Sequence, residues 1–278
     1  MKQKLKGKLE KRSTELLVVT ALLVFVSAGV TVSSTVLDSS NSGALVAEYR
    51  FDTGSGNTAY DTAGNNDGTI NGAKWTSGVE GKALKFDGND DTVNIGNNIP
   101  QEAPLTISGW MWVDSDHDSV NGGEKNLIGN YDGGGWIFRI YPDNKIQLWF
   151  NSNGHESKAN AVPERDEWVH LAATLNKDGK ITYYKNGEVF DTVTATGSIK
   201  AIKNDFRLAS RGDSDTRNDL LGKLDDVKIY STNLSSSQVN SLYNSGVWRI
   251  GTKIEEDDPS KVLEISFQHQ NSSYVLDT

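Results

Sequence analysis

Short alternations of apolar and polar residues run from Leu45 to Tyr230, each closed by a cluster of Gly, Asn, Asp or Pro. In Leu105–Val113, Leu105, Ile107, Gly109 and Met111 share one face, and Thr106, Ser108, Trp110 and Trp112 the other. Trp136–Tyr141 and Lys145–Phe150 flank Pro142-Asp143-Asn144 as a hairpin. Ile181–Lys185 and Glu188–Val193 flank Asn186-Gly187, the dipeptide that best accepts two successive left-handed residues. Trp168–Leu175 is apolar on both faces, which predicts a central strand covered on both sides. Leu45–Phe51, Phe206–Ala209 and Lys223–Tyr230 read as further strands. Gly81–Ile95 predicts a hairpin that turns on Asp87-Gly88-Asn89-Asp90-Asp91. A helical pattern arrives only at the end, where Ser235 caps a short stretch with Val239, Leu242 and Tyr243 on one face. Roughly a dozen short strands over about 200 residues predict an all-β, two-sheet antiparallel sandwich forming one domain.

Composition adds an uneven charge. The chain of 278 residues has no cysteine, so disulfides and thiolate metal sites are excluded. Its net charge is −9, yet residues 1–28 carry +4 and the remainder −13. Such an acidic body repels nucleic acid, and no nucleic-acid partner is expected. The basic start leads into the apolar run Leu16–Val30, and Val26-Ser27-Ala28 offers small residues for signal-peptidase cleavage. Residues 1–31 therefore read as a signal peptide or a transmembrane anchor, with 32–43 as a linker. Either way the body lies outside, extracellular or membrane-anchored, and meets the membrane only through this N-terminal segment.

Leu45-Val46-Ala47-Glu48-Tyr49-Arg50-Phe51-Asp52, Asp61-Thr62-Ala63-Gly64-Asn65, Gly81-Lys82-Ala83-Leu84-Lys85-Phe86-Asp87-Gly88, Leu105-Thr106-Ile107-Ser108-Gly109-Trp110, Trp168-Val169-His170-Leu171-Ala172 and Gly222-Lys223-Leu224-Asp225-Asp226-Val227 follow one another along the chain. In this order they resemble the laminin-G-like, concanavalin A-like jelly-roll module. The resemblance implies a jelly roll over residues 44–250, with Trp110 in a core position and His170 as a structural histidine. It does not fix function, since such modules bind glycans, bind proteins, or space other domains. Glu48–Thr62 and Glu264–Thr278 align without a gap with four identities. The acidic linker and tail, 251–278, then hold either the first strand of a truncated second module or one extra strand at the sandwich edge.

No paired carboxylates at glycosidase spacing appear on a strand, and no His has a nucleophile partner, so no catalytic residue is expected. Calcium is the expected cofactor, because Asp, Asn and Gly loops supply hard oxygen ligands. Asp225 shares parity with Val227 and Ile229, which turns its carboxylate toward the apolar side. The resemblance places a metal where the first strand meets the last, so Asp52, Asp61 and Asp225 are the candidate ligands. For a glycan, the expected patch is Trp149 with Arg139 and Tyr141, which alternation turns away from the apolar faces of their strands. Arg211-Gly212-Asp213 matches the integrin-binding tripeptide, a short and common match. The expected function is an exported, non-catalytic module recognising an extracellular glycan or a surface protein. A purely structural or adhesive surface protein and a relative of glycan-active enzymes are the alternatives.

Overall fold

The structure, a computed structural model, describes residues 44–116, 123–151, 153–156, 166–213, 219–245, 249–253, 264–269 and 272–276. The segment read as signal or anchor lies outside the described residues. Among the described residues, no helix is long and apolar enough to cross a membrane.

The strands in chain order are β1 (Leu45–Tyr49), β2 (Thr58–Ala59), β3 (Gly68–Asn71), β4 (Lys74–Ser77), β5 (Lys82–Asp87), β6 (Thr92–Asn94) and β7 (Leu105–Val113). There follow β8 (Lys125–Gly129), β9 (Trp136–Ile140), β10 (Ile146–Phe150), β11 (Asn153–Glu156), β12 (Trp168–Leu175), β13 (Lys180–Lys185) and β14 (Glu188–Thr194). After β15 (Arg207–Leu208) and β16 (Leu221–Tyr230) comes the helix α1 (Ser236–Ser245). The first sheet has the order β14-β13-β12-β7-β16-β5-β4, with β1 also paired to β16. The second has the order β11-β10-β9-β8-β15-β6-β3-β2. Leu84, Ile107 and Val169 of the first sheet share one core with Ile128, Phe138 and Leu148 of the second, so the sheets pack face to face as an antiparallel sandwich.

Local chemistry explains the best-read pieces. Asn186 and Gly187 both take positive φ, 51° and 78°, and close β13 onto β14. Ser235 Oγ accepts from the Gln238 amide at 3.3 Å, and Gln238 Oε1 accepts from the Ser235 amide at 2.8 Å, a reciprocal cap at the start of α1. The helix lies on the outer face of the first sheet, where Val239 and Leu242 pack with Ala172, Tyr184 and Tyr230. Trp110 is 1% exposed there, not between the sheets, and its ring stacks on Tyr243 at 5.4 Å. His170 joins them at 5.4 Å from Trp110, and burial pushes its pKa down to about 3, so it is a neutral packing group.

Two expectations change. Gly81–Ile95 is not a hairpin: β5 pairs with β4 and β16, whereas β6 pairs with β3 and β15. Its acidic turn carries the chain from one sheet to the other. Asp225 does not share a face with Val227. The register slips between Asp225 and Lys228, and Asp226 adopts φ 46°, so a bulge inserts one residue and Asp225 pairs with Trp110 on the outer face. Beyond the helix, β17 (Arg249–Lys253), β18 (Glu264–His269) and β19 (Ser272–Leu276) pair, among the described residues, only with one another. The stretch aligned with Glu48–Thr62 thus contributes two strands of a small antiparallel sheet.

Candidate ligand-binding site

The second sheet turns Trp136, Phe138, Leu148 and Phe150 inward, which leaves Arg139, Gln147 and Trp149 on its outer face. Asn126 stands opposite Arg139 and Gln147 on the other side of it, in one row across β8, β9 and β10. Arg139 is only 5% exposed. Its guanidinium donates to Glu124 Oε2 at 2.5 Å and to Gln147 Oε1 at 2.8 Å, and lies 4.8 Å from the Tyr141 ring. Burial draws the Arg139 pKa down, opposed by the charge of Glu124.

The sequence missed three residues that complete the patch. Tyr131, just past β8, meets Trp149 edge to face at 4.5 Å. Arg211, just past β15, lies 5.1 Å from the Tyr131 ring and 4.0 Å from Glu124. Glu124, ahead of β8, therefore bridges the two arginines. The result is one unbroken run of contacts, Trp149–Tyr131–Arg211–Glu124–Arg139–Tyr141, joining all three residues that alternation singled out. Trp149, Tyr131 and Tyr141 are each half-buried, so part of every ring faces solvent.

The Arg211-Gly212-Asp213 tripeptide is built into this patch rather than presented as a free loop. Arg211 pairs with its own Asp213 at 3.0 Å, and the carbonyl of Arg211 would lie 2.5 Å from a β-carbon at Gly129. Gly212 has φ 90° and packs on the Asn130 backbone, a place only glycine fits. The short tripeptide match set aside in the sequence is a packed corner of the patch.

The structure does not bring the three candidate metal ligands together. Asp61 is filled by its own loop: Oδ1 accepts from the amides of Glu48, Ala63 and Gly64 at 2.9–3.0 Å. Its Oδ2 accepts from the Asn66 amide and side chain at 3.0 and 3.1 Å. Five donors saturate a carboxylate that offers about four acceptor positions. Burial pushes the Asp61 pKa up, but the four backbone amides outweigh it and the net direction is down. Asp61 does not fit a metal ligand.

Asp225 and Asp52 instead face the turn between β4 and β5. Asp225 Oδ2 accepts from the Val79 and Glu80 amides at 2.9 and 3.3 Å, and Oδ1 from the Asp226 amide at 2.8 Å. A β-carbon at Gly78 would stand 2.3 Å from Asp225 Oδ2 and 2.8 Å from the carbonyls of Glu80 and Lys82. One at Gly81 would stand 2.2 Å from Asp52 Oδ1. Two glycines thus let hard oxygens crowd one turn. Burial and the charges of Asp226 and Asp52 push the Asp225 pKa up to about 8. Asp87, Asp90 and Asp91 also lie close, with ligating oxygens within 4.8 Å of one another. Asp87 accepts from the Asn89 amide and Asp91 from the Asp87 amide, so turn geometry accounts for two of them.

Comparison with known proteins agrees with this architecture. The model of the concanavalin A-like lectin/glucanases superfamily (Laminin_G_3) matches residues 87–240, more than half of the chain. Paraclostridial mosquitocidal protein 1 of Paraclostridium bifermentans is 23% identical over 206 residues, which are 66% of this chain and 16% of that protein. The chain thus spans a small part of that relative. The binding domain of the same mosquitocidal protein superposes with a TM-score of 0.58 at 19% identity, covering 75% of this chain and 55% of that one. Domain 4 of AbnA, an extracellular arabinanase from Geobacillus stearothermophilus solved with arabinotriose, superposes with a TM-score of 0.59 at 21% identity. That match covers 72% of this chain and 98% of the arabinanase domain. With its two-sheet sandwich and a match over more than half its length, the chain belongs to the concanavalin A-like lectin/glucanases superfamily.

Proposed function

We propose that the chain is an exported, non-catalytic module that recognises a neutral glycan on the outer face of its second sheet. The run Trp149–Tyr131–Arg211–Glu124–Arg139–Tyr141 carries this reading. Half-exposed aromatic rings supply stacking surface for sugar C–H groups, and the guanidinium and carboxylate groups beside them supply donors and acceptors for hydroxyls. Arg139 and Arg211 are balanced by Glu124 and Asp213, so the patch offers no surplus cation to a sugar acid. The same pairing argues against catalysis, because Glu124 and Asp213 are committed to guanidiniums rather than poised as a free acid and base. The arabinanase domain solved with a neutral oligosaccharide lends support from a related fold.

The test is a glycan array probed with the whole protein and with Trp149→Ala. Binding to one or more neutral glycans is expected, and about tenfold or greater weakening in the variant, the loss of one stacking ring. Absence of binding to any neutral glycan sinks the reading. A structural calcium ion belongs to the same proposal, held beside Asp225 and Asp52 with carbonyl oxygens of the β4–β5 turn. Asp225 has one acceptor position left after its three amide donors. An unchanged thermal midpoint on adding millimolar calcium to chelator-treated protein would remove the ion from the proposal.

A further inference from the structure

The outer face of the first sheet carries a second arrangement, one row along from the residues that the helix contacts. Cross-strand pairing places Lys74 of β4 opposite Lys85 of β5, Lys85 opposite Lys223 of β16, Lys223 opposite Trp112 of β7, and Trp112 opposite Trp168 of β12. Directly paired residues point to the same face, so these five side chains form one row across five strands. Strand spacing of about 4.8 Å sets the pitch of the three ammonium groups.

Two things about this row ask for a cause. Like charges directly opposite each other on neighbouring strands are destabilising, and here two such pairs stand in succession. None of the three lysines forms an ion pair among the described residues. Asp91 is felt by Lys74, and Asp114 and Asp166 by Lys223, only from beyond ion-pair distance. Lys74 and Lys85 are exposed and Lys223 half-buried, so the charges stay within reach of a partner. At the other end, Trp112 and Trp168 meet edge to face at 5.8 Å and are both half-buried. The Lys223 ammonium sits 3.9 Å from the Trp112 ring and 5.9 Å from that of Trp168, which ties the basic end to the aromatic end. Helix α1 covers Trp110 and His170 in the adjoining row through Tyr243, and among the described residues no ring contact carries it on to Trp112 or Trp168.

We propose that this row is a second binding site, for an anionic polysaccharide. Acidic groups spaced along such a chain would lie between successive ammonium groups and relieve their repulsion, while a sugar ring packs against the exposed parts of Trp112 and Trp168. The site is independent of the neutral-glycan patch, which lies on the other sheet. Charge complementarity selects the ligand: three unpaired cations in register, on a body that is otherwise acidic, fit a repeating anion.

The test is affinity electrophoresis of the whole protein in gels holding dextran sulfate, polygalacturonate or plain dextran, at low salt and again at about 0.5 M salt. Retardation by at least one polyanion but not by dextran is expected, and weaker at high salt. The two polyanions separate a sulfate ester from a carboxylate as the recognised group. The double variant K85Q/K223Q should bind about tenfold more weakly. Trp149→Ala should bind unchanged, so that the two sites can fail separately. Lys177 and Lys180 are exposed at a distant turn, and K177Q/K180Q removes the same charge there and should also bind unchanged. Failure to retard in both polyanions overturns the proposal. So does equal weakening by the control pair, or binding to phosphatidylserine vesicles without binding to either polysaccharide.

Discussion

Asp61 and Asp225 are both buried carboxylates held by backbone amides, yet they sit on opposite sides of their ordinary pKa. Asp61 collects five donors and is drawn down, so its stabilising contribution is present above the unfolded value and is lost as pH falls below about 4. Asp61→Asn replaces an acceptor with a donor facing the Asn66 amide. It should cost about 2–4 kcal/mol in denaturant unfolding, the price of unsatisfied buried amides. Asp225 behaves in the opposite sense. With its pKa raised to about 8, the folded state holds a proton that the unfolded chain releases near pH 4. In chelator, stability should therefore fall as pH rises from about 4 to 8, and Asp225→Asn should flatten that slope. If calcium binds there, it requires the ionised carboxylate, so the rise in melting temperature on adding calcium should grow over the same interval and vanish in the variant. A wild-type slope unchanged by the substitution would rule out Asp225 as its source.

At the scale of elements, alternation located most of the strands but failed where the pleat is interrupted. β12, β13 and β14 fall close to their predicted positions, because their alternation and an Asn-Gly turn need no tertiary information, although the β13–β14 register shifts once, between Tyr183 and Tyr184. The bulge at Asp226 reversed the parity from which the face of Asp225 was read. Its only local trace is an Asp-Asp pair inside an apolar strand, at a residue type that tolerates positive φ. β8 was missed because Lys125 and Asn126 are buried in it beside Leu127 and Ile128, across another register shift, so no alternation survives. The helix was legible from its Ser cap, but which surface it covers was not. Tyr243 supplies that answer by stacking on Trp110, and a β-carbon at Gly187 would come within 2.9 Å of its own. Tyr243→Ala should lower stability by about 1–3 kcal/mol and move tryptophan emission to longer wavelength as Trp110 is wetted. Unchanged emission and stability would mean that the helix does not shield the sheet.

For the molecule as a whole, the fold was readable because many weak signals occurred in one order, whereas the site was readable only in half. Arg139, Tyr141 and Trp149 belong to adjacent strands of one hairpin, so local alternation could group them. Tyr131, Arg211 and Glu124 come from strand ends that only the completed second sheet brings together, and no spacing in the chain encodes that meeting. A related constraint follows from β16. It is the last strand of the sandwich, yet it lies inside the first sheet, between β7 on one side and β5 and β1 on the other. Leu45 waits for Tyr230, so the loop that closes spans nearly the whole module and its entropic cost falls late in folding. A chain emerging from its N-terminal end therefore presents open edges on β1, β5 and β7 until residue 230 arrives. The first sheet is completed only by its last strand, and anything that holds the nascent chain extended until that point works with its topology.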